Sequence, residues 1–246
     1  MNWHLLLEPY GCPGATNMAW DESLLVEADR SGGAFLRLYR FSPPCLSFGR
    51  NEPALARYDR SAIDRLGLDV VRRPTGGRAV WHDAELTYAV AAPIAAFGTL
   101  AESYHAIHAR LAAALQALGA AAELAPRGRA AGVGDGPCFA TPVGGEVVVN
   151  GKKVIGSAQV RHGAAFLQHG SILLDGSQQM IQAVSRQPSA VSAASSLTEV
   201  LGRPVGFTEV ADAIVAAWGE PLSRSALVRP RPPSSVFASP VWTWRR

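Results

Sequence analysis

One ten-residue segment constrains the fold more than any other. Glu146-Val-Val-Val-Asn-Gly-Lys-Lys-Val-Ile155 sets Asn-Gly between two β-branched runs. Asn-Gly is the pair that two-residue hairpin turns prefer, because both central positions need positive φ. A hairpin here commits the middle of the chain to antiparallel pairing, and Arg161-His-Gly163 reads as the next turn of the same meander. The segment also holds the only two lysines, Lys152 and Lys153; the other 21 of the 23 basic residues are arginine. A lysine kept against that bias offers what arginine lacks, a compact, strongly hydrated ammonium with a movable pKa. The plain alternative is an accidental pair at a turn, and the neighbouring segments decide between the two.

The rest of the chain follows from periodicity and punctuation. Residues 16–30 read as a helix capped by Thr16 or Asn17 and stopped by Gly32-Gly33. Strand-like runs follow at 35–41, with its arginines on one face, and at 45–48, 70–73, 78–81 and 85–92. Residues 99–118 are the strongest helix, ended by Gly119, and 208–218 form the clearest later one. Strands gathered mid-chain with helices before and after predict an α+β fold: a mixed, largely antiparallel sheet with helices packed on it. Length predicts a single domain over 1–246, with the Pro- and Ser-rich tail of 229–246 packed on or near it.

Composition excludes several function classes. With 48% hydrophobic and 17% charged residues the chain is a globule, not a disordered or fibrous one. No apolar run reaches membrane-spanning length, and Glu8 interrupts the N-terminal leucines, so neither a span nor a signal peptide is expected. Three widely spaced cysteines fit a reducing cytoplasm and speak against a disulfide framework or structural zinc. Neither a metal nor a cofactor is expected. The net charge of +3 comes from scattered arginines without a basic run, which argues against nucleic acid and fits encounter with an acidic protein.

Three segments carry chemistry. In Arg72-Arg-Pro-Thr-Gly-Gly-Arg-Ala-Val-Trp-His-Asp83, adjacent glycines let backbone amides approach a ligand. Arg72, Arg73 and Arg78 add positive charge there, so Thr75, Gly76, Gly77 and His82 join them as candidate substrate-binding residues. In Gly134-Asp-Gly-Pro-Cys138-Phe, a cysteine on a constrained loop is a candidate nucleophile, provided an electropositive neighbour such as Lys153 lowers its thiol pKa. Cys12 and Cys45 read as buried, inert thiols. In the third segment, Gly156-Ser157-Ala158 leave room against the sheet for an apolar chain lined by Leu167, Ile172 and Leu173. His169 is a general base or a core histidine donating to backbone, and His105 and His108 read as a solvated helix face.

Taken in order, Asn17-Met-Ala-Trp-Asp-Glu22, Pro44-Cys-Leu-Ser-Phe-Gly49, Arg72–Asp83, Cys138-Phe, Gly151-Lys-Lys-Val-Ile-Gly-Ser-Ala-Gln159 and Leu167-Gln-His-Gly-Ser-Ile-Leu173 resemble the biotin/lipoate protein ligase family. Within it they are most similar to the cysteine-dependent octanoyltransferases: Cys138 matches that branch's nucleophile, Arg78 replaces the ligases' third loop glycine, and 246 residues leave little room for an accessory domain. Pro142-Val-Gly-Gly145 departs from the bulkier residues those transferases carry after the cysteine loop. The resemblance implies a class II synthetase-like sheet with an acyl tunnel. It also implies transfer of octanoyl from acyl carrier protein, through a Cys138 thioester assisted by Lys153, to lipoyl domains of 2-oxoacid dehydrogenases and the glycine-cleavage H protein. Three alternatives stay open: an ATP-dependent lipoate ligase, an octanoyl amidotransferase between lipoyl proteins, and a non-catalytic acyl or lipoyl-domain binder.

Overall fold

The computed structural model describes residues 2–126, 145–187, 195–224 and 236–245. Its centre is a six-stranded sheet of β1 (Trp3–Cys12), β2 (Ala34–Phe41), β6 (Glu85–Pro93), β10 (Ile155–His162), β11 (Ala165–Leu173) and β12 (Leu222–Arg224). The order is β10-β11-β6-β2-β1-β12. The first three pairings are antiparallel, and β1 runs parallel to both β2 and β12. A three-stranded sheet of β3 (Cys45–Phe48), β4 (Asp69–Arg72) and β5 (Val80–His82) lies beside it. A third sheet joins β7 (Ala122–Leu124), β8 (Val147–Val149) and β9 (Lys152–Lys153). Asn150 and Gly151 turn β8 into β9 with φ of 51° and 74°, as the Asn-Gly signal requires. The architecture is therefore mixed α+β.

Helices cover both faces of the main sheet. α4 (Leu100–Ala117) and α7 (Phe207–Ala217) pack on one face through Ile107, Leu111, Val210 and Ile214, against Leu36, Leu38, Leu86 and Val90. α1 (Gly14–Ser31) covers the other, with Met18, Leu24 and Leu25 against Phe35, Tyr39, Ala89 and Leu167. Short helices α2 (Ala54–Arg57), α3 (Arg60–Arg65) and α5 (Met180–Ala183) border the small sheet, α6 (Leu197–Leu201) precedes α7, and α8 (Pro240–Thr243) lies near the C-terminus. Phe237 and Trp242 pack edge to face at 5.9 Å, with Phe237 inside the core under α1.

Several expectations are corrected. The β2 arginines do not share a face: at odd spacing the pleat sends Arg37 into the interior toward α1, while the Arg40 guanidinium lies 5.7 Å from the Phe207 ring. Neither Thr16 nor Asn17 caps α1. Its N-cap is Pro13, and Asn17 is buried, donating to the carbonyls of Cys12 and Arg40. β1 escaped the sequence reading because its strand partners, β2 and β12, run parallel and lie far apart in sequence, and no local alternation marks it.

Candidate active site

A cleft with an empty volume of about 370 Å³ opens where the main sheet, α1 and the glycine loop meet. Met18, Phe41 and Val80 supply apolar lining, Gly156, Ala158 and Gly170 supply space, and Arg73, His82, Thr87, His169 and Ser171 supply polar groups. A largely apolar concavity with a few convergent polar groups is the usual form of a small-ligand site. Its floor follows from register. Gly156 lies opposite Ser171 and Ser157 opposite Gly170 across β10–β11, and Ser171 lies opposite Thr87 on β6.

Two carboxylate–imidazole–hydroxyl relays flank the cleft. Asp21 on α1 accepts the Nδ1–H of His169 at 2.8 Å, and Thr75 Oγ1 lies 2.6 Å from His169 Nε2. Burial works to raise the Asp21 pKa, but its bonds to His169, Arg37 and Tyr39 outweigh it and hold the carboxyl below its ordinary range. Burial pushes His169 below its usual value against the pull of Asp21, so a neutral imidazole faces an ionised carboxylate. The second relay runs from Glu85 Oε1 to His82 Nδ1 at 2.6 Å, and from His82 Nε2 to Ser47 Oγ at 2.6 Å. Thr87 and Ser171 also donate to the Glu85 carboxylate. His169 is thus neither a free base nor a backbone donor; it ties the glycine loop to the sheet.

Arg37 neutralises Asp21 from below. Both side chains are fully buried, with Arg37 Nη1 at 2.9 Å from Asp21, Nη2 at 2.7 Å from Asn17 Oδ1 and Nε at 2.6 Å from Glu8. Arg37→Met should therefore strand a buried carboxylate and cost about 3–5 kcal/mol of stability. A denaturant titration showing a loss under 1 kcal/mol would contradict this account of the hub.

The two loop arginines are spent mainly on backbone carbonyls, Arg73 also donating to Ser47 Oγ at 2.6 Å. Arg73 donates to the carbonyls of Ser47, Gly76 and Arg78, holding the loop while lining the cleft. Arg72 lies outside the lining: it donates to the carbonyls of Gly49, Arg50, Glu52, Trp242, Thr243 and Arg245 and so anchors the C-terminal segment. Gly49 and Gly77 touch so closely that a Cβ on Gly49 would fall 1.8 Å from the Gly77 carbonyl oxygen, and Gly77 has φ 91°. Gly76 keeps open space above it. Arg78 is half-buried, and its carbonyl, not its guanidinium, takes part in the loop contacts above.

A second polar network lies on the α4 face of the sheet. The pleat turns the Ser157 side chain away from His169 and Ser171, toward Tyr88 at 2.7 Å and His108 Nε2 at 2.8 Å. Gln168 donates to Tyr88, and Gln159 to Gln168. His108 is buried rather than solvated. Its Nδ1–H donates to the Gly145 carbonyl at 2.7 Å, so Nε2 must accept from Ser157. Leu167, Ile172 and Leu173, expected to line an acyl chain, are core residues outside the cleft lining.

Lys153 adjoins this network. Its Nζ is 2.6 Å from Glu146 Oε1 and its side chain is only 3% exposed, whereas Lys152 pairs with Glu199 at 3.3 Å on the surface. Lys153 is not among the cleft-lining residues but lies three positions before Gly156 of the floor. Cys138 lies outside the described residues. The backbone on either side of its segment is pinned: Gly145 N donates to the Ala125 carbonyl at 2.8 Å, and Ala125 N to that of Glu146 at 2.7 Å. Among the described residues, no group of three His, Cys, Asp or Glu side chains could hold a metal, and no helix is long and apolar enough to cross a membrane.

Burial lowers His108 to about 4; the Gly145 bond opposes the shift and the Lys153 ammonium adds to it. The unfolded chain protonates this residue near the ordinary 6.5, while the folded protein stays neutral until about 4. Stability present above pH 6.5 is therefore lost as pH falls between these values, by about 3 kcal/mol from this residue. His169 shifts in the same direction. Denaturation midpoints from pH 7 to 4 should fall more steeply in the wild type than in His108→Gln; parallel curves would count against a neutral, buried His108.

Sequence reasoning missed Asp21, Arg37, Ser47, Glu85, Glu146 and His108. Only Glu85 left a local sign: together with Thr87 it places two polar groups on one face of an otherwise apolar strand.

Comparison with known proteins shows which family carries this fold. Residues 13–219 match the family model for the lipoyl protein ligase A/B catalytic domain. Octanoyltransferase LipM of Kyrpidia tusciae is 39% identical over 239 residues, covering 89% of this chain and 87% of that one. Octanoyltransferase LipM of Carboxydothermus hydrogenoformans is 46% identical over 154 residues, 61% of this chain and 57% of that one. In three dimensions the chain matches lipoate-protein ligase A bound with ATP at a TM-score of 0.75 and 22% identity, covering 92% of this chain and 88% of that one. It also matches the bi-partite lipoate protein ligase of Thermoplasma acidophilum, at 0.71 and 21%, over 92% and 86%. Fold, ordered motifs and relatives converge: the chain belongs to the lipoyl protein ligase A/B catalytic-domain family.

Proposed function

We propose that the protein is an acyltransferase of lipoate biosynthesis, moving octanoyl from octanoyl-acyl carrier protein to a lysine of a lipoyl domain, and that residues 1–246 act as one catalytic unit. The LipM octanoyltransferases among its relatives support the reaction class. The observation that carries the mechanism is Lys153, a buried ammonium beside the pinned flanks of the segment that contains Cys138.

The Cys138 thiolate attacks the donor thioester, forming an acyl-enzyme and breaking the bond to the carrier sulfur, which leaves as a thiolate and takes up the proton that Cys138 shed. The acceptor amine then attacks the acyl-enzyme, an amide forms, and the amine proton is lost as the Cys138 thiol is restored. Lys153 favours the thiolate and stabilises the developing oxyanion. Glu146 holds that ammonium in one position. The apolar lining of the cleft receives the octanoyl tail, whose burial contributes about 5 kcal/mol at roughly 0.8 kcal/mol per methylene. Acceptors of matching chemistry are the lipoyl domains of 2-oxoacid dehydrogenases and the glycine-cleavage H protein.

The thioester donor arrives already activated, so transfer should proceed without nucleotide or magnesium. Octanoyl-acyl carrier protein plus a lipoyl domain should give the octanoylated domain by intact mass, and free lipoate plus ATP should give none. AMP release with lipoylation at a comparable rate would replace this reading with that of a ligase.

A further inference from the structure

Two arginines beside the glycine loop have no role in the chemistry above. The Arg72 guanidinium draws two distant segments together, the turn at 49–52 and the C-terminal residues 242–245, by donating to carbonyls of both. Arg245 is fixed there: its Nη2 donates to the Arg50 carbonyl at 2.7 Å, and its guanidinium lies 3.8 Å from the centre of the Trp242 ring. Trp242 is itself held by donating Nε1–H to the Arg72 carbonyl at 2.9 Å. The Arg50 side chain is exposed, and its charge and that of Arg245 are close enough to disfavour each other.

Neighbouring arginines are neutralised, Arg57 by Glu52 at 3.4 Å and Arg60 by Asp64 at 3.8 Å. Arg50 and Arg245 form no ion pair among the described residues; Glu22 exerts an electrostatic pull on Arg50 without pairing with it. The turn that carries Arg50 sits directly on the glycine loop, with Arg50 N donating to the Thr75 carbonyl at 2.7 Å and Gly49 against Gly77. The amides of Gly76 and Gly77 donate to no backbone acceptor among the described residues, and a Cβ on Gly76 would meet nothing within 4 Å. Arg73 joins this loop to the cleft wall.

We propose that Arg50, Arg245 and the open amides of Gly76-Gly77 form an anion site at the edge of the cleft, which takes the phosphate ester of the arm bearing the donor thioester. The proposal rests on the thioester-donor reading above. Guanidinium forks and backbone amides match phosphate oxygens, and an incoming anion relieves the repulsion between two adjacent cations. The same phosphate chemistry could come from a nucleotide, so the test separates the two sources.

The experiment compares octanoyl-phosphopantetheine with octanoyl-pantetheine, which lacks the phosphate, as donors for the wild type and for Arg50→Ala/Arg245→Ala. Matched melting temperatures establish that the variant is folded. The wild-type kcat/KM should favour the phosphorylated donor by roughly 10- to 100-fold, mainly through KM, and the ratio should fall toward unity in the variant. Equal use of both donors by the wild type, or an unchanged ratio in the variant, overturns the site. Calorimetry with phosphopantetheine alone provides a second readout that does not depend on turnover. Binding that the double substitution abolishes supports the site even if no donor is turned over, in which case only the functional reading falls; no binding overturns the site. Tight binding of ATP with AMP formation would assign the site to a nucleotide and overturn its assignment to the donor arm.

Discussion

Lys153→Arg is expected to lower octanoyl transfer roughly 100- to 1,000-fold, the usual loss when one oxyanion-stabilising donor is removed, while Lys152→Arg stays near the wild-type rate. The two lysines are adjacent in sequence and opposite in circumstance. Lys153 is buried against Glu146 at 2.6 Å; Lys152 is exposed with a surface partner. Exposed pairs of that kind contribute little. Arginine at 153 keeps the charge that Glu146 requires, so the fold should survive, but a planar fork cannot occupy the place of a compact ammonium. Lysine removal by methionine is the poorer test, because it strands Glu146 and confounds activity with stability. Steady-state rates with octanoyl-acyl carrier protein settle the matter, and equal tolerance of arginine at both positions would sink the catalytic role of Lys153.

Cys138→Ala is expected to abolish transfer, and Cys138→Ser to lose or greatly slow it. Incubation of the wild type with octanoyl-acyl carrier protein should add one octanoyl mass that hydroxylamine removes. The other thiols serve as internal controls. Cys45 is fully buried, and burial followed by the nearby Asp69 carboxylate pushes its thiol well above the ordinary range, so it does not form a nucleophile near neutral pH. Cys12 lies at the end of β1, half-buried. Alanine at Cys12 or Cys45 should leave the acyl-enzyme intact. Undiminished turnover by Cys138→Ala would remove the covalent mechanism altogether.

Much of the fold was legible because its signals are local. Asn150-Gly151 set the β8–β9 turn, Gly119 follows the end of α4, and the β-branched runs became strands. The parallel strands β1 and β12 were not legible, because their pairing is set by partners distant in sequence. Helix α1 was legible, but the work of its polar residues was not: Asn17 looks like a cap, and instead it and Asp21 bind Arg37 in the core.

The candidate site divides in the same way. Cysteine, lysine pair, glycine loop and both cleft histidines stand in short motifs that can be read one after another, because each needs particular residue types at fixed local spacing. Which groups face each other was decided by the tertiary structure. The Ser157 hydroxyl is taken up by Tyr88 and His108 although the residue borders the cleft, and Arg72 is taken up by a C-terminal segment about 170 residues away in sequence, its contact with Trp242 being one such bond. Burial makes His108 a neutral strut where helical spacing alone showed a solvated face. Residue type and order determined the family and the available chemistry; long-range register and burial decided which of those groups are spent on holding the cleft and which remain to act in it.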